Sequence, residues 1–216
     1  MGHLTSDKEK LAILKICTLF MKVDGACDEA EKALLNKVYQ EMNVTESMKE
    51  EVLYDCASIS VERGDNSTRI ISVIDEILDD LGSYSSLRRA STEHAFPAFP
   101  GLTTLSGAKK GPTVQANLLW TLINLGYADK TYTSAERKVV RHLAKIWNIN
   151  KDLVTEFEDT ADTILLLTNQ QTWLKNESGW GYDQINERLK EIDKQIELMS
   201  KNLQTSISEI DVMGGK

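Results

Sequence analysis

Apolar residues recur at helical spacing along most of this chain, and no stretch alternates with period two long enough to demand a strand. Ser6-Asp7-Lys8-Glu9 has the form of a capping box, so a first helix is predicted to begin there. It is apolar on nearly all sides through Ile13, Leu14, Ile16, Cys17, Leu19, Phe20 and Met21, which predicts a buried, central helix. A second helix is expected over about Glu29 to Met42. A third should follow Thr45 as N-cap, with Val52, Leu53, Cys56 and Ala57 on one face. "RGDNST" interrupts the pattern with turn residues. A fourth helix then presents Ile70, Ile71, Val73, Ile74, Ile77, Leu78 and Leu81 to a core, with Gly82 at its C′ position.

Residues 83–112 break this order. All three prolines lie here, with Gly101, Gly107 and Gly111. Arg88, Arg89, Lys109 and Lys110 against Glu93 leave this segment at +3, and hence the rest of the chain at −11 against a total of −8. Helical spacing resumes after Gly111-Pro112, which reads as N-cap and N1. An apolar helix through Leu118, Leu119, Leu122, Ile123 and Leu125 is followed by helices over about Ser134–Trp147 and Lys151–Thr172, the latter with a possible break near Asp159. A last helix sets Ile185, Leu189, Ile192, Ile196, Met199 and Leu203 at steps of four and three, a coiled-coil seam. The expected organisation is a first helical unit over 5–82, a basic loop over 83–112, a second unit over 113–180 and an amphipathic helix over 183–210. The fold class is all-α.

The two units echo each other at a separation of 105 residues. Asp24 falls on Asp129, Ala30 on Ala135, Glu31 on Glu136, Val38 on Leu143 and Met42 on Trp147. Leu14 and Phe20 upstream fall on Leu119 and Leu125, and Val52 downstream on Phe157. The apolar phase holds across three helices without a gap, the mark of an internal repeat. Two small bundles with such apolar first helices are expected to share one core.

Composition narrows the class. The 216 residues, 41% hydrophobic and 27% charged, suit a globular protein of one large or two small domains. A net charge of −8 and a pI near 5.0 argue against nucleic-acid binding, which needs a positive field. Three cysteines with no C-x-x-C pair argue against a disulfide framework. With no leader-like N-terminus and no apolar run long enough to span a bilayer, a cytoplasmic protein is expected.

The chemistry concentrates in "MKVDGACDEAEKALL". Asp28 and Glu31, like Thr133 and Glu136, stand at capping-box spacing, and acidic residues suit a first helical turn. Capping does not account for Asp24 or Asp129, at helix exits where the dipole disfavours a carboxylate. Measured against the calcium loop, Asp24, Asp28 and Glu31 fall on ligand positions, but Phe20 and Lys22 occupy two others, so this is no EF-hand. Two readings stand: a weak, water-rich site for a divalent cation (calcium or magnesium) at Asp24, Asp28 and Glu31, less strongly at Asp129 and Glu136, or carboxylates that only cap.

A helix ending in Asp-Gly, a short turn and a Glu early in the next helix, as in "VDGACDEAEKALL" and more faintly "ADKTYTSAERKVV", resembles the TerB-like family of tellurite-resistance proteins and of a membrane-linked DnaJ co-chaperone domain. The resemblance covers about residues 8–60 and 113–165. It implies an all-helical pseudo-symmetric fold, no enzymatic activity, a bacterial stress-response or membrane-associated setting, and divalent cations held through Asp24, Gly25 and Glu31, with Asp129 and Glu136 behind them. Lys130 in place of the second glycine, the basic loop and the long last helix depart from that pattern.

No nucleophile motif, metalloprotease motif or dinucleotide fingerprint is present, so no enzyme is expected. In the loop, Arg88, Arg89, Phe96, Phe99, Lys109 and Lys110 mix basic and apolar groups. They suit either tucking into the acidic bundle or docking an anionic protein partner or a peripheral membrane surface. The seam at 185–203 either folds back on the body or pairs with a second copy as a homodimer. An adaptor that recruits partners through loop and seam, without metal, is the alternative function.

Overall fold

The computed structural model describes residues 7–25, 28–81 and 113–213. Among the described residues the elements are eight helices: α1 Asp7–Phe20, α2 Glu29–Glu41, α3 Glu46–Ala57, α4 Ser67–Asp80, α5 Thr113–Gly126, α6 Ser134–Ile146, α7 Lys151–Asn176 and α8 Tyr182–Met213. The protein is all-α, as the periodicity predicts.

Local geometry recurs at the predicted spacing of 105. Asp28 and Thr133 each cap a helix with a complete capping box, and α2 and α6 span corresponding residues. Asn43 and Asn148 both take positive φ, 50° and 52°, at the exits of these helices. There the amides of Val44 and Ile149 bond back to the carbonyls of Tyr39 and Ala144. Gly25 (φ 78°) is matched by Lys130 (φ 73°), which adopts the left-handed conformation despite its side chain. Gly25 is required by contact as well as by φ, since a Cβ there would stand 2.3 Å from the Glu62 carbonyl oxygen. The α3–α4 loop lies over this turn. Asn66 N donates to the Val23 carbonyl at 2.8 Å, and the Asn66 side chain bridges Glu62 and Gly64.

The buried residues of both units form one hydrophobic cluster. Its centre is α1 and α5, where Leu14, Ile16, Leu19, Leu118, Leu119 and Leu122 are fully buried. α1 packs on α3, α4 and α5, while α5 packs on α2, α6, α7 and α8, and α4 crosses to α6. The shared core expected from the two apolar helices is therefore present.

Two details differ from the sequence expectation. α7 runs unbroken through Asp159, because Glu158 turns inward to Arg137 and Arg141 (3.2 and 3.6 Å) and the acidic run does not interrupt its apolar face. On α3, Val52 and Cys56 are buried but Leu53 and Ala57 are exposed: a four-residue step returns to the same stripe, and Leu53 lies about 100° round from it. α7 and α8 are long, 26 and 32 residues, and pair as an antiparallel hairpin. Gln171 donates to Asp193 at 2.6 Å and Ser206 to Glu156 at 2.7 Å along this pairing. Ile192 and Leu203 of the seam are buried and Ile185, Leu189, Ile196 and Met199 half-buried where α8 folds back on α7 and α5. No helix of the described residues is long and apolar enough to cross a membrane.

Candidate functional site

The site is built from two helix entrances that meet across the joint between the units. At the first, the Asp28 Oδ1 accepts from the amides of Ala30 (2.7 Å) and Glu31 (2.9 Å), and Glu31 Oε2 accepts from the Asp28 amide at 2.9 Å. At the second, Glu136 Oε2 accepts from the Thr133 amide at 2.6 Å and its hydroxyl at 2.7 Å. Each capping box draws its glutamate back over the helix end, and both carboxyls end up buried.

Burial pushes the Glu31 carboxyl up to about 7, partly opposed by the Asp28 amide, with Asp24, Glu136 and Asp129 pushing further in the same direction. Glu136 is likewise pushed up to about 7 by burial, opposed by Thr133 and reinforced by Asp24 and Asp129. Glu31 therefore feels Glu136 and Asp129, and Glu136 feels Asp24, across the two units, which the alignment at 105 residues pairs but does not bring together. Gly126 makes room for this: a Cβ there would stand 3.0 Å from Glu136 Oε1 and 2.6 Å from the Tyr132 ring.

The predicted residues fare differently. Asp28 is exposed, and its Oδ1 is committed to two backbone amides. Asp129 folds into its own turn, Oδ1 accepting from the Thr131 amide (2.7 Å) and Oδ2 from the Thr131 hydroxyl (2.6 Å). Among the described residues no three His, Cys, Asp or Glu side chains are grouped so as to hold a metal ion. One or two carboxylates suffice only for an ion that keeps most of its own water. Arg88, Arg89, Phe96, Phe99, Lys109 and Lys110 lie outside the described residues.

Two sets of charged contacts escaped the sequence reading. His142 Nε2 lies 2.8 Å from Asp75 Oδ1, joining α6 to α4. Lys138 reaches Asp65 beside it, holding that carboxyl down at about 2 through its hydrogen bond. Glu158 is the other, buried beneath Arg137, whose guanidinium also lies 4.6 Å from the Tyr132 ring centroid. A signal for Glu158 was available, since it follows Val154 by four residues on the buried face of α7.

Fold and site together define an all-helical protein with an acidic joint between two units. No family model, no curated protein and no solved structure matches the chain.

Proposed function

We propose that this is a non-enzymatic helical protein whose acidic joint binds one divalent cation weakly; Glu31 and Glu136 would hold the ion, which would keep most of its water. The burial of two glutamates, Glu31 and Glu136, at the entrances of α2 and α6 is the observation that carries this reading, and Asp24 and Asp129 push both carboxyls further up. Two buried carboxyls that resist ionisation lose that penalty when a cation stands between them. Asp28 then serves as cap rather than ligand. The repetition of one helix–turn–helix plan in the two units, and a TerB-like role in a bacterial stress-response or membrane-associated system, belong to the same proposal. The turn geometry that recurs at 105 residues supports the first, and the two short acidic motifs support the second.

Calorimetric titration with magnesium, calcium and zinc near pH 8 tests the site. Heats of binding are expected for the wild type and their loss for Glu31→Gln/Glu136→Gln. Equal heats from the two proteins would remove the cation from the proposal.

A further inference from the structure

The two turns that lead into the acidic joint differ in what lies over them. Gly25 and Lys130 share a left-handed conformation, at φ 78° and 73°. The α3–α4 loop lies over the first. Gly64 N donates to the Asp24 carbonyl at 3.3 Å and Asn66 N to the Val23 carbonyl at 2.8 Å. Asn66 shapes the loop from within and is buried. Its Oδ1 accepts from the Glu62 amide at 3.0 Å, and its Nδ2 donates to the carbonyls of Glu62 (2.8 Å) and Gly64 (2.9 Å). The residues 105 positions later, 167–171, run inside α7, so the loop has no counterpart at the second turn. A Cβ therefore meets a carbonyl oxygen at position 25, while position 130 carries a lysine. The same loop reaches across the joint. Asp65 Oδ1 accepts from the Ser67 amide at 2.9 Å, and Oδ2 from Lys138 of α6, two residues beyond Glu136.

A loop bonded to the backbone of one unit and to a side chain of the other constrains the spacing between them. We propose that Asn66 and Asp65 are positioning residues of the acidic joint: the loop straps the Asp24 turn of the first unit to the entrance of α6 in the second, and so sets how close Asp24 comes to Glu136. Neither residue is a ligand; each acts through the groups it holds. The division of labour follows from burial. Asp65 and Lys138 are 45% and 58% exposed, and an exposed ion pair contributes little stability of its own. The buried Asn66 bonds and the two backbone bonds hold the loop to Asp24, and the ion pair directs the loop toward α6. Asp24 already weighs on Glu136 across the joint, and repulsion between like charges falls as their separation grows. A slack strap therefore weakens that influence. On the cation reading, on which this consequence rests, the same strap spaces the ligands Glu31 and Glu136.

A double-mutant cycle between Asp24→Asn and Glu136→Gln tests the strap without any metal. It is read as melting temperatures of the full-length chain near pH 8 with a chelator present. The like charges repel, so each single substitution relieves a repulsion that the double variant relieves only once, and the two shifts are expected not to add. In the Asn66→Ala background that non-additivity should fall by roughly half or more. A loop that merely adds stability would lower all four melting temperatures together and leave the non-additivity intact, and that result overturns the proposal. So does a cycle that is additive in the wild-type background. Lys138→Arg, which keeps the ion pair, should preserve the coupling that Lys138→Met weakens; equal coupling in these two backgrounds also overturns it. Should Asn66→Ala fail to melt cooperatively, Asp65→Asn takes its place: loss of the coupling supports the proposal and its retention overturns it. Magnesium titration of the wild type without chelator separates the strap from the ion. A coupling that falls as expected in a protein giving no heat with magnesium removes the cation and supports the strap.

Discussion

Glu31 and Glu136 carry the energetics of the acidic joint. An ordinary glutamate in the unfolded chain titrates near 4.5, and these two titrate near 7 when folded. Below pH 4.5 both states hold the protons. Between 4.5 and 7 only the folded chain keeps them, so rising pH removes stability, and above 7 the loss is complete. The lowered Asp65 acts in the opposite sense, but its contribution disappears only below about pH 4, outside this window. The melting temperature is therefore expected to be higher at pH 5 than at pH 8 by several degrees, at roughly 2–4 °C per kcal/mol for a chain of this size. Glu31→Gln/Glu136→Gln should flatten that difference in a calorimetric scan. An unchanged difference would place the pH dependence elsewhere.

At the scale of elements, the two units begin alike and end differently. α2 and α6 match in length and caps, but α3 has 12 residues where α7 has 26. The additional turns of α7 find their partner in α8. Because Leu174 and Ile192 are buried outside the central cluster, that far hairpin has its own small core, and Leu174→Ala is expected to destabilise it by about 2–4 kcal/mol. The loss should remain local. Amide exchange should accelerate through residues 163–199 while α1 and α5 keep their protection. Uniform acceleration across the chain would show the hairpin and body to be one cooperative unit.

At the scale of the molecule, α1 and α5 bury nearly every side, α1 against α5 and α5 against α1 and α2 as well as against helices of their own units. Residues 1–82 and 111–216 expressed separately are each expected to give less helix by circular dichroism than their share of the whole, and to regain it on mixing. A cooperative melt from either piece alone would show that the joint core is dispensable. The bridges from α6, His142 to Asp75 and Lys138 to Asp65, orient the units but lie half-exposed, so apolar burial outweighs them in holding the units together.

Helix type, the buried character of α1 and α5 and the capping boxes of α2 and α6 were determined by the sequence alone. Each depends on residues within a few turns of one another: an apolar side that repeats every 3.6 residues, or a side chain reaching a backbone amide three positions away. Only the tertiary structure decided that Glu31 and Glu136 lie within each other's influence, that Glu158 is covered by two arginines, and that α8 folds back on α7. Those outcomes join residues tens to a hundred positions apart. Which faces meet at such distances is chosen by the packing of the whole core, and no local period records it.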